Sequence, residues 1–191
     1  MFPASVFLGQ PLFEEVMIVS AFERLGLVPA FPVDVALLEK NYLDQSRRCH
    51  PDHNAQAGPE SLEKALNLEK ALNESASLNE AYAVLANPLR RAEHLLALWG
   101  GPDASADKSQ PFPFLEQLLE WREEAEDPAA RPRLLVCLET ERTTLLNQIQ
   151  QQFSLSGEDA SARLIRIKEI RLLLNQLRSV QGLLRELEDS Y

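Results

Sequence analysis

Apolar residues recur at helical spacing along most of the chain. The last segment shows the pattern most clearly, because its apolar positions step by three and four residues, at Ile170, Leu173, Leu177, Val180, Leu184 and Leu187. Such a heptad-like seam predicts a long helix that packs along one face. No segment shows the alternation of apolar and polar residues that is typical of a hairpin. The pattern therefore predicts an all-α protein.

Helix-breaking residues divide the first hundred positions into predicted helices over 20–25, 34–48, 59 or 60–86, and 89–99. The second of these begins at Asp34, a good N-cap, and should place Val35, Leu38 and Tyr42 on one face. The fourth ends at a pair of glycines, which is a common helix stop.

A stretch rich in Gly, Pro, Ser and Asp follows at 100–111 and is the best candidate for a domain boundary. Beyond it, the pattern predicts helices over 114–126, 133–153 and 160–188. Three such helices with short connections predict an antiparallel bundle.

The charge of the chain excludes several classes of function. Its 191 residues include 19 Lys and Arg against 29 Asp and Glu, a net charge of −10. A surface this negative repels phosphate backbones and anionic lipid, so we expect no nucleic-acid partner and no membrane partner. Residues 1–20 contain no Lys or Arg, unlike a secretory or transit signal, which favours the cytoplasm. Cys49 and Cys137 are expected to be free thiols in a reducing compartment.

The sequence Arg-Arg-Cys-His-Pro-Asp-His-Asn ends the second predicted helix. Pro51 disfavours a helical conformation for His50, so the imidazole and the Asp52 carboxylate should lie at an exposed hairpin tip. An arbitrary tripeptide of this kind is most often an ordinary polar turn. A small metal hydrolase using His50, Asp52 and His53 is the alternative from another class, but these spacings match no zinc template. We therefore expect no metal, no cofactor and no enzymatic activity.

Two motifs carry a family resemblance. The His-Pro-Asp tripeptide between two antiparallel helices, the first ending in Arg-Arg, resembles the J domain of DnaJ-type co-chaperones. The third predicted helix adds Leu-Asn-Glu-Ala-Tyr-Ala-Val-Leu and then Asn-Pro, which resembles the end of a J domain.

The resemblance extends past the J domain. Asn-Pro-Leu-Arg-Arg-Ala-Glu-His-Leu-Leu at 87–96 and Phe-Leu-Glu-Gln-Leu-Leu-Glu-Trp-Arg-Glu-Glu at 114–124 are similar to HscB, the J-protein co-chaperone of iron–sulfur cluster assembly. This implies an N-terminal J domain, a helical hairpin with its His-Pro-Asp loop, joined to a C-terminal antiparallel three-helix bundle. The implied division is an extension at 1–17, a J domain at 18–100, a linker at 101–112 and a scaffold-binding bundle at 113–191.

The resemblance implies that the J domain binds the DnaK-like chaperone HscA and stimulates its ATP hydrolysis. The residues carried over for this contact are His50, Pro51 and Asp52, with Arg47, Arg48 and Lys40 as steering cations. Nearby Asp34, Glu39 and Asp44 offset these cations, so binding should be weak and salt-sensitive.

The resemblance also implies that the bundle binds the iron–sulfur scaffold IscU. The residues carried over are Leu115, Glu116, Leu119, Glu120 and Glu123, with an apolar residue of the last helix that is either Leu172 or Leu173. The residues alone favour a plainer interpretation, in which Leu115 and Leu119 widen the core stripe and the glutamates form a solvated face. Leu173 also fits the core seam, whereas Leu172 should be more exposed.

Further expectations concern the junction between the two parts. The basic start of the last helix, including Arg166, Arg171 and Arg178, should offset the acidic helix at 114–126. His94 and Trp99 should pack where the J domain meets the bundle. The predicted function is a two-armed iron–sulfur co-chaperone, and the alternative of the same class is a general J protein that delivers unfolded clients.

Overall fold

The computed structural model describes residues 20–49, 62–155 and 160–189. Within these ranges the chain forms seven helices and no strand, namely α1 (Ala21–Arg24), α2 (Val35–Cys49), α3 (Leu62–Ala86), α4 (Pro88–Leu98), α5 (Phe112–Ala125), α6 (Arg131–Ser154) and α7 (Ala160–Glu188). The all-α prediction is confirmed. The predicted extension at 1–17 and the tripeptide His50, Pro51 and Asp52 lie outside the described residues.

Side-chain caps fix where these helices begin. Ser20 Oγ accepts a hydrogen bond from Glu23 N at 3.2 Å, and the Glu23 carboxylate accepts one from Ser20 N at 2.9 Å. This reciprocal pair is a capping box. Asp34 Oδ1 accepts from Leu37 N at 3.1 Å, which confirms the predicted N-cap of α2. The side chain of Asn87 caps α4 in the same way.

Helices α1 to α4 form what we call the N-terminal unit. Tyr42 of α2 packs its ring on Tyr82 of α3, with 4.5 Å between ring centroids, and its hydroxyl donates to Asn79 Oδ1 at 2.8 Å. Leu38 is buried one turn earlier, but Val35 is exposed, so the buried face of α2 begins later than predicted. These contacts hold α2 against α3 and leave its other face in solvent.

Helices α5 to α7 form the predicted three-helix bundle. Helix α7 supplies the largest share of its core, with Ile167, Ile170, Leu174, Leu177, Val180, Leu183, Leu184 and Leu187 all buried. Helix α5 contributes Phe114 and Trp121, whose rings meet edge to face at 6.1 Å. Arg166 near the start of α7 donates to the carbonyl oxygen of Gln152 near the end of α6, as expected for antiparallel neighbours.

A stack of aromatic rings joins the N-terminal unit to the bundle. Phe31, which precedes α2, stacks on Phe153 of α6 at 5.8 Å. Trp99, at the end of α4, meets the same Phe153 edge to face at 5.0 Å. The guanidinium groups of Arg163 and Arg166 lie over the Trp99 ring at 5.6 and 6.0 Å. The predicted position of Trp99 at the junction is confirmed.

A buried ion cluster forms a second contact at the junction. Arg171 of α7 is 0 % exposed, and its guanidinium donates to both carboxylate oxygens of Glu93 of α4, at 2.7 and 2.6 Å. Arg178 donates to Glu93 Oε1 at 2.7 Å. The expectation that these arginines offset the acidic α5 is therefore wrong, because α4 presents a carboxylate to them within hydrogen-bonding distance.

The connection between α4 and α5 lies on the surface of α7. Asn175 Nδ2 donates to the carbonyl oxygens of Asp107 and Ser109, at 3.0 and 2.9 Å. Gln110 Nε2 donates to the carbonyl of Asn175 at 3.0 Å and to Ser179 Oγ at 2.7 Å. The composition of this stretch indicated a boundary, but its backbone is bound in place.

Glycine is required at the start of this connection. A Cβ on Gly101 would lie 2.5 Å from Leu96 Cδ1 and 3.1 Å from the Leu96 carbonyl oxygen. Gly100 has a φ of 79°, in the left-handed region that other residues rarely adopt. The glycine pair thus lets the chain turn sharply away from α4.

The ring of His94 packs inside the N-terminal unit, and the residue also lines a surface pocket with Arg178 of α7. Its ring stacks on Phe22 at 5.8 Å, and Nε2 accepts a hydrogen bond from Ala21 N at 3.2 Å. An imidazole that accepts at Nε2 is neutral. Burial lowers the pKa of His94, because it disfavours the charged imidazolium.

This geometry predicts a pH-dependent stability. Since the folded-state pKa of His94 is lowered, its contribution to stability is present above the unfolded-state pKa and is lost as the pH falls through the folded-state pKa. Between about pH 8 and about pH 5 the thermal midpoint of unfolding should fall as acid is added.

The matched variant is His94→Gln, whose amide oxygen can accept the same bond but does not titrate. Its thermal midpoint should be lower than that of the wild type at pH 8 and should change less down to about pH 5. Equal pH dependence of both proteins, measured by circular dichroism, would contradict the assignment to His94.

Candidate partner-binding surfaces

The outer face of α2 carries the three cations predicted to steer the chaperone. Lys40 and Arg47 are seven residues apart, about two helical turns, and therefore share a face. Both are exposed, as is Arg48. Arg47 lies 3.7 Å from the carboxylate of Asp44 on the same helix, in a pair exposed to solvent. Such a pair contributes little, so Arg47 remains available to a partner.

The packing of α2 determines which way these cations point. Leu38 is buried, Tyr42 packs on α3, and Asn41 Nδ2 donates to the carbonyl of Leu25 at 2.8 Å. The opposite face must then carry Lys40 and Arg47 outward. This face ends at Cys49, directly before the undescribed residues His50, Pro51 and Asp52.

A leucine patch lies on α5, defined by Leu115 and Leu119 with the carboxylates of Glu116, Glu120 and Glu123. Leu115 is 41 % exposed and Leu119 is 63 % exposed, although both belong to a helix whose other side is well packed. The three glutamates are exposed as well. The structure therefore brings the five predicted residues of α5 together on the solvent side of the bundle.

Sequence reasoning missed one apolar residue next to this patch. Phe112 is 70 % exposed and forms the first turn of α5, three residues before Leu115 and seven before Leu119. This spacing places all three on one face of a helix. The signal was present in the sequence, but the predicted helix began two residues later, at Phe114.

The two candidate leucines of α7 line one groove. Leu172 and Leu173 are both half-buried there, in a groove of about 310 Å³ whose other lining residues are Pro111, Gln148, Gln151, Gln152, Glu169 and Gln176. Leu173 also packs against the core, and Leu174 takes the fully buried position. The two leucines therefore line the same groove.

We call this groove the glutamine groove, after Gln148, Gln151, Gln152 and Gln176. Pro111 borders the groove and precedes Leu115 by four residues, one helical turn. The N-cap residue of α5 therefore borders the same groove that Leu172 and Leu173 line.

Nothing in the described part of the chain suggests a metal centre. No group of three or more His, Cys, Asp or Glu side chains is placed to hold an ion there. The hydrolase alternative depends on His50, Asp52 and His53, which fall outside that part. Both Cys49 and Cys137 are free thiols. Among the described helices, none combines the length and the apolar character needed to cross a membrane.

Comparison with curated proteins finds co-chaperones. A protein of Shewanella halifaxensis called "Co-chaperone protein HscB homolog" is 38% identical over 108 residues, a match that spans 56% of this chain and 58% of that protein. A protein of the same name from Vibrio cholerae is 35% identical over 172 residues, which spans 84% of this chain and 95% of that protein. No protein-family model matches the chain.

Two solved structures have the same fold. "Chaperone HscB from Vibrio cholerae" superposes with a TM-score of 0.68 at 30% identity, over 90% of this chain and 96% of that chain. The human co-chaperone protein HscB superposes with a TM-score of 0.73 at 20% identity, over 90% of this chain and 81% of that chain. Because its sequence identity is only 20%, the similarity to the human protein shows a shared fold and nothing more.

The exposure of the leucine patch predicts which α5 residues stabilise the fold. Leu119→Ala should change the free energy of unfolding by less than about 0.5 kcal/mol, because it removes little buried area. Trp121→Ala, in the core of the same helix, should cost about 3–5 kcal/mol. Urea denaturation of the two variants tests this. A cost of several kcal/mol for Leu119→Ala would show instead that Leu119 widens the core stripe.

Proposed function

The chain belongs to the HscB family of co-chaperones, and we propose that it serves iron–sulfur cluster biogenesis by bringing an IscU-type scaffold to a DnaK-like chaperone of the HscA type. In this proposal residues 18–100 are the J domain, 101–112 connect it to the bundle, and 113–191 bind the scaffold. In this proposal the protein acts by binding two partners at once.

The observation that carries the proposal is the exposure of Leu115 and Leu119 on a packed helix, bordered by Glu116, Glu120 and Glu123. The exposed surface of these two leucines contributes nothing to the stability of the free protein. An apolar centre with a charged border is the usual composition of a specific protein interface. Burying such leucines against a partner gains about 25 cal/mol per Å² of apolar surface.

We propose that both Leu172 and Leu173 belong to this scaffold contact. They line the glutamine groove, which is also bordered by Pro111, one helical turn before Leu115. The groove adds side-chain amides, which can donate to and accept from the backbone of a partner. The scaffold site would then extend from α5 across the groove to α7.

The chaperone site would be formed by Lys40, Arg47 and Arg48 on α2 together with His50, Pro51 and Asp52. Exposed cations raise the rate of association with a negatively charged partner, and salt screens this effect. The Asp44 carboxylate near Arg47 reduces the local positive charge, which supports weak binding.

Simultaneous binding explains how the two sites would act together. A scaffold held on the bundle is tethered near the chaperone that the J domain engages, so its effective concentration at the chaperone rises. The J domain can favour one nucleotide state of the chaperone only if it binds that state more tightly.

The proposal is tested by steady-state ATP hydrolysis of the cognate DnaK-like chaperone with this protein, with the scaffold and with both. Wild-type protein and scaffold together should stimulate more than the product of their separate effects. His50→Gln should abolish stimulation, and Leu115→Ala/Leu119→Ala should abolish only the part that needs the scaffold. Val136→Ala is the control, because Val136 is an exposed apolar residue of α6 outside the patch.

Other results of this ATP hydrolysis assay would lead to different conclusions. Stimulation that needs His50 but never depends on the scaffold would indicate a general J protein for unfolded clients. No stimulation by the wild type would contradict the co-chaperone proposal as a whole. A loss in Val136→Ala equal to that in the double variant would show that the leucine patch has no special role.

A further inference from the structure

Helix α7 presents three different faces over two turns. Leu174 and Leu177 face the core, and Leu172 with Gln176 faces the glutamine groove. Arg171, Asn175 and Arg178 face α4 and the connection that follows it. The groove proposed for the scaffold and the contact with the N-terminal unit therefore share the same two turns.

The carboxylate of Glu93 is the centre of that contact. It accepts three hydrogen bonds from two guanidinium groups, Arg171 and Arg178, which are 78 and 85 residues away in sequence. A carboxylate held by both arms of a guanidinium is fixed in direction as well as distance. Arg171 also donates to the carbonyl of Pro102 and to Asn175 Oδ1, at 3.3 and 3.1 Å, so its own position is fixed.

Several contacts spaced along the junction oppose rotation between the N-terminal unit and the bundle, and the ring stack and the Glu93 cluster are two of them. The rings of Trp99 and Phe31 contact Phe153 at the end of α6. Glu93 contacts Arg171, which lies before the middle of α7. Contacts that lie apart from each other resist turning about any one of them, so α2 and the glutamine groove keep one relative orientation.

We propose that Glu93 is a positioning residue that holds the chaperone-binding and scaffold-binding surfaces at a fixed relative orientation, and that this orientation is needed for their combined action. The proposal rests on the proposed function. Glu93 belongs to neither of the two proposed binding surfaces. It acts through Arg171, the neighbour of Leu172, and so fixes where a bound scaffold lies relative to Lys40 and Arg47.

Tethering explains why the relative orientation of the two surfaces should affect their joint action. A linked second site increases binding only if both sites can be engaged in one geometry, and the benefit falls when the link samples many others. Loss of the Glu93 contact should leave each surface intact by itself. What it should reduce is the joint effect of the two partners.

The first test measures orientation without any partner. Nitroxide labels are attached to Cys137 of α6 and to a Leu43→Cys variant on the exposed face of α2, with Cys49→Ser to avoid a third label. Pulsed electron paramagnetic resonance should give a narrow distance distribution. Glu93→Gln, which keeps the shape but not the charge, should widen it at least about twofold.

The second test measures function. With only one partner present, Glu93→Gln should stimulate the chaperone, or bind the scaffold, within about twofold of the wild type. With both partners present, its stimulation of the chaperone should be at least about fivefold lower than that of the wild type. Glu80→Gln is the matched control, since it removes the same charge from an exposed pair with Arg90 inside the N-terminal unit. It should leave both the distances and the stimulation unchanged.

Arg171→Lys provides a second test, which does not depend on the folding of Glu93→Gln. Arg171→Lys keeps the positive charge but cannot donate to both oxygens of Glu93 in the same way. It should also widen the distance distribution. An unchanged distribution in the folded variants, or undiminished joint stimulation with a widened one, would overturn the proposal. If wild-type protein gives no stimulation, the proposed function fails, while the distance measurement still decides whether Glu93 fixes the orientation.

Discussion

The pairing of Arg171 with Glu93 is the constraint on which the arrangement of the whole molecule depends. A guanidinium with no exposed surface loses its hydration, and only a well-placed carboxylate with further acceptors can offset that loss. Removing one member of such a pair typically costs about 3–5 kcal/mol, because the other is left buried and unpaired. The pair therefore favours one arrangement of α4 on α7, and the connection at 101–111 is bound to α7 around it.

The positions of the two candidate surfaces follow from this arrangement. Helix α2 packs Leu38 and Tyr42 inward and is left with cations outside, and α5 packs Phe114 and Trp121 inward and is left with leucines outside. Each surface is thus the unpacked side of a helix whose other side is fixed. A rigid junction holds the two surfaces at one relative orientation.

The sequence was sufficient for the helices, because caps, prolines and apolar spacing act locally. It was not sufficient for the exposure of Leu115 and Leu119, which depends on how α6 and α7 pack against α5. It was not sufficient for Arg171, since a basic residue on a helix gives no sign of being buried until its partner 78 residues away is known. The predicted seam of α7 holds at Ile170, Leu177, Val180, Leu184 and Leu187, and only at one position is Leu174 fully buried in place of Leu173, which packs against the edge of the core.

The ring stack at the junction has a spectroscopic consequence. The chain has two tryptophans, Trp99 at the junction and Trp121 in the core of the bundle. The indole of Trp99 lies beside two guanidinium groups, whereas that of Trp121 meets only the ring of Phe114 among its aromatic and cationic neighbours in the described residues. The intrinsic fluorescence of the protein is therefore divided between two reporters, one for docking of the parts and one for the integrity of the bundle.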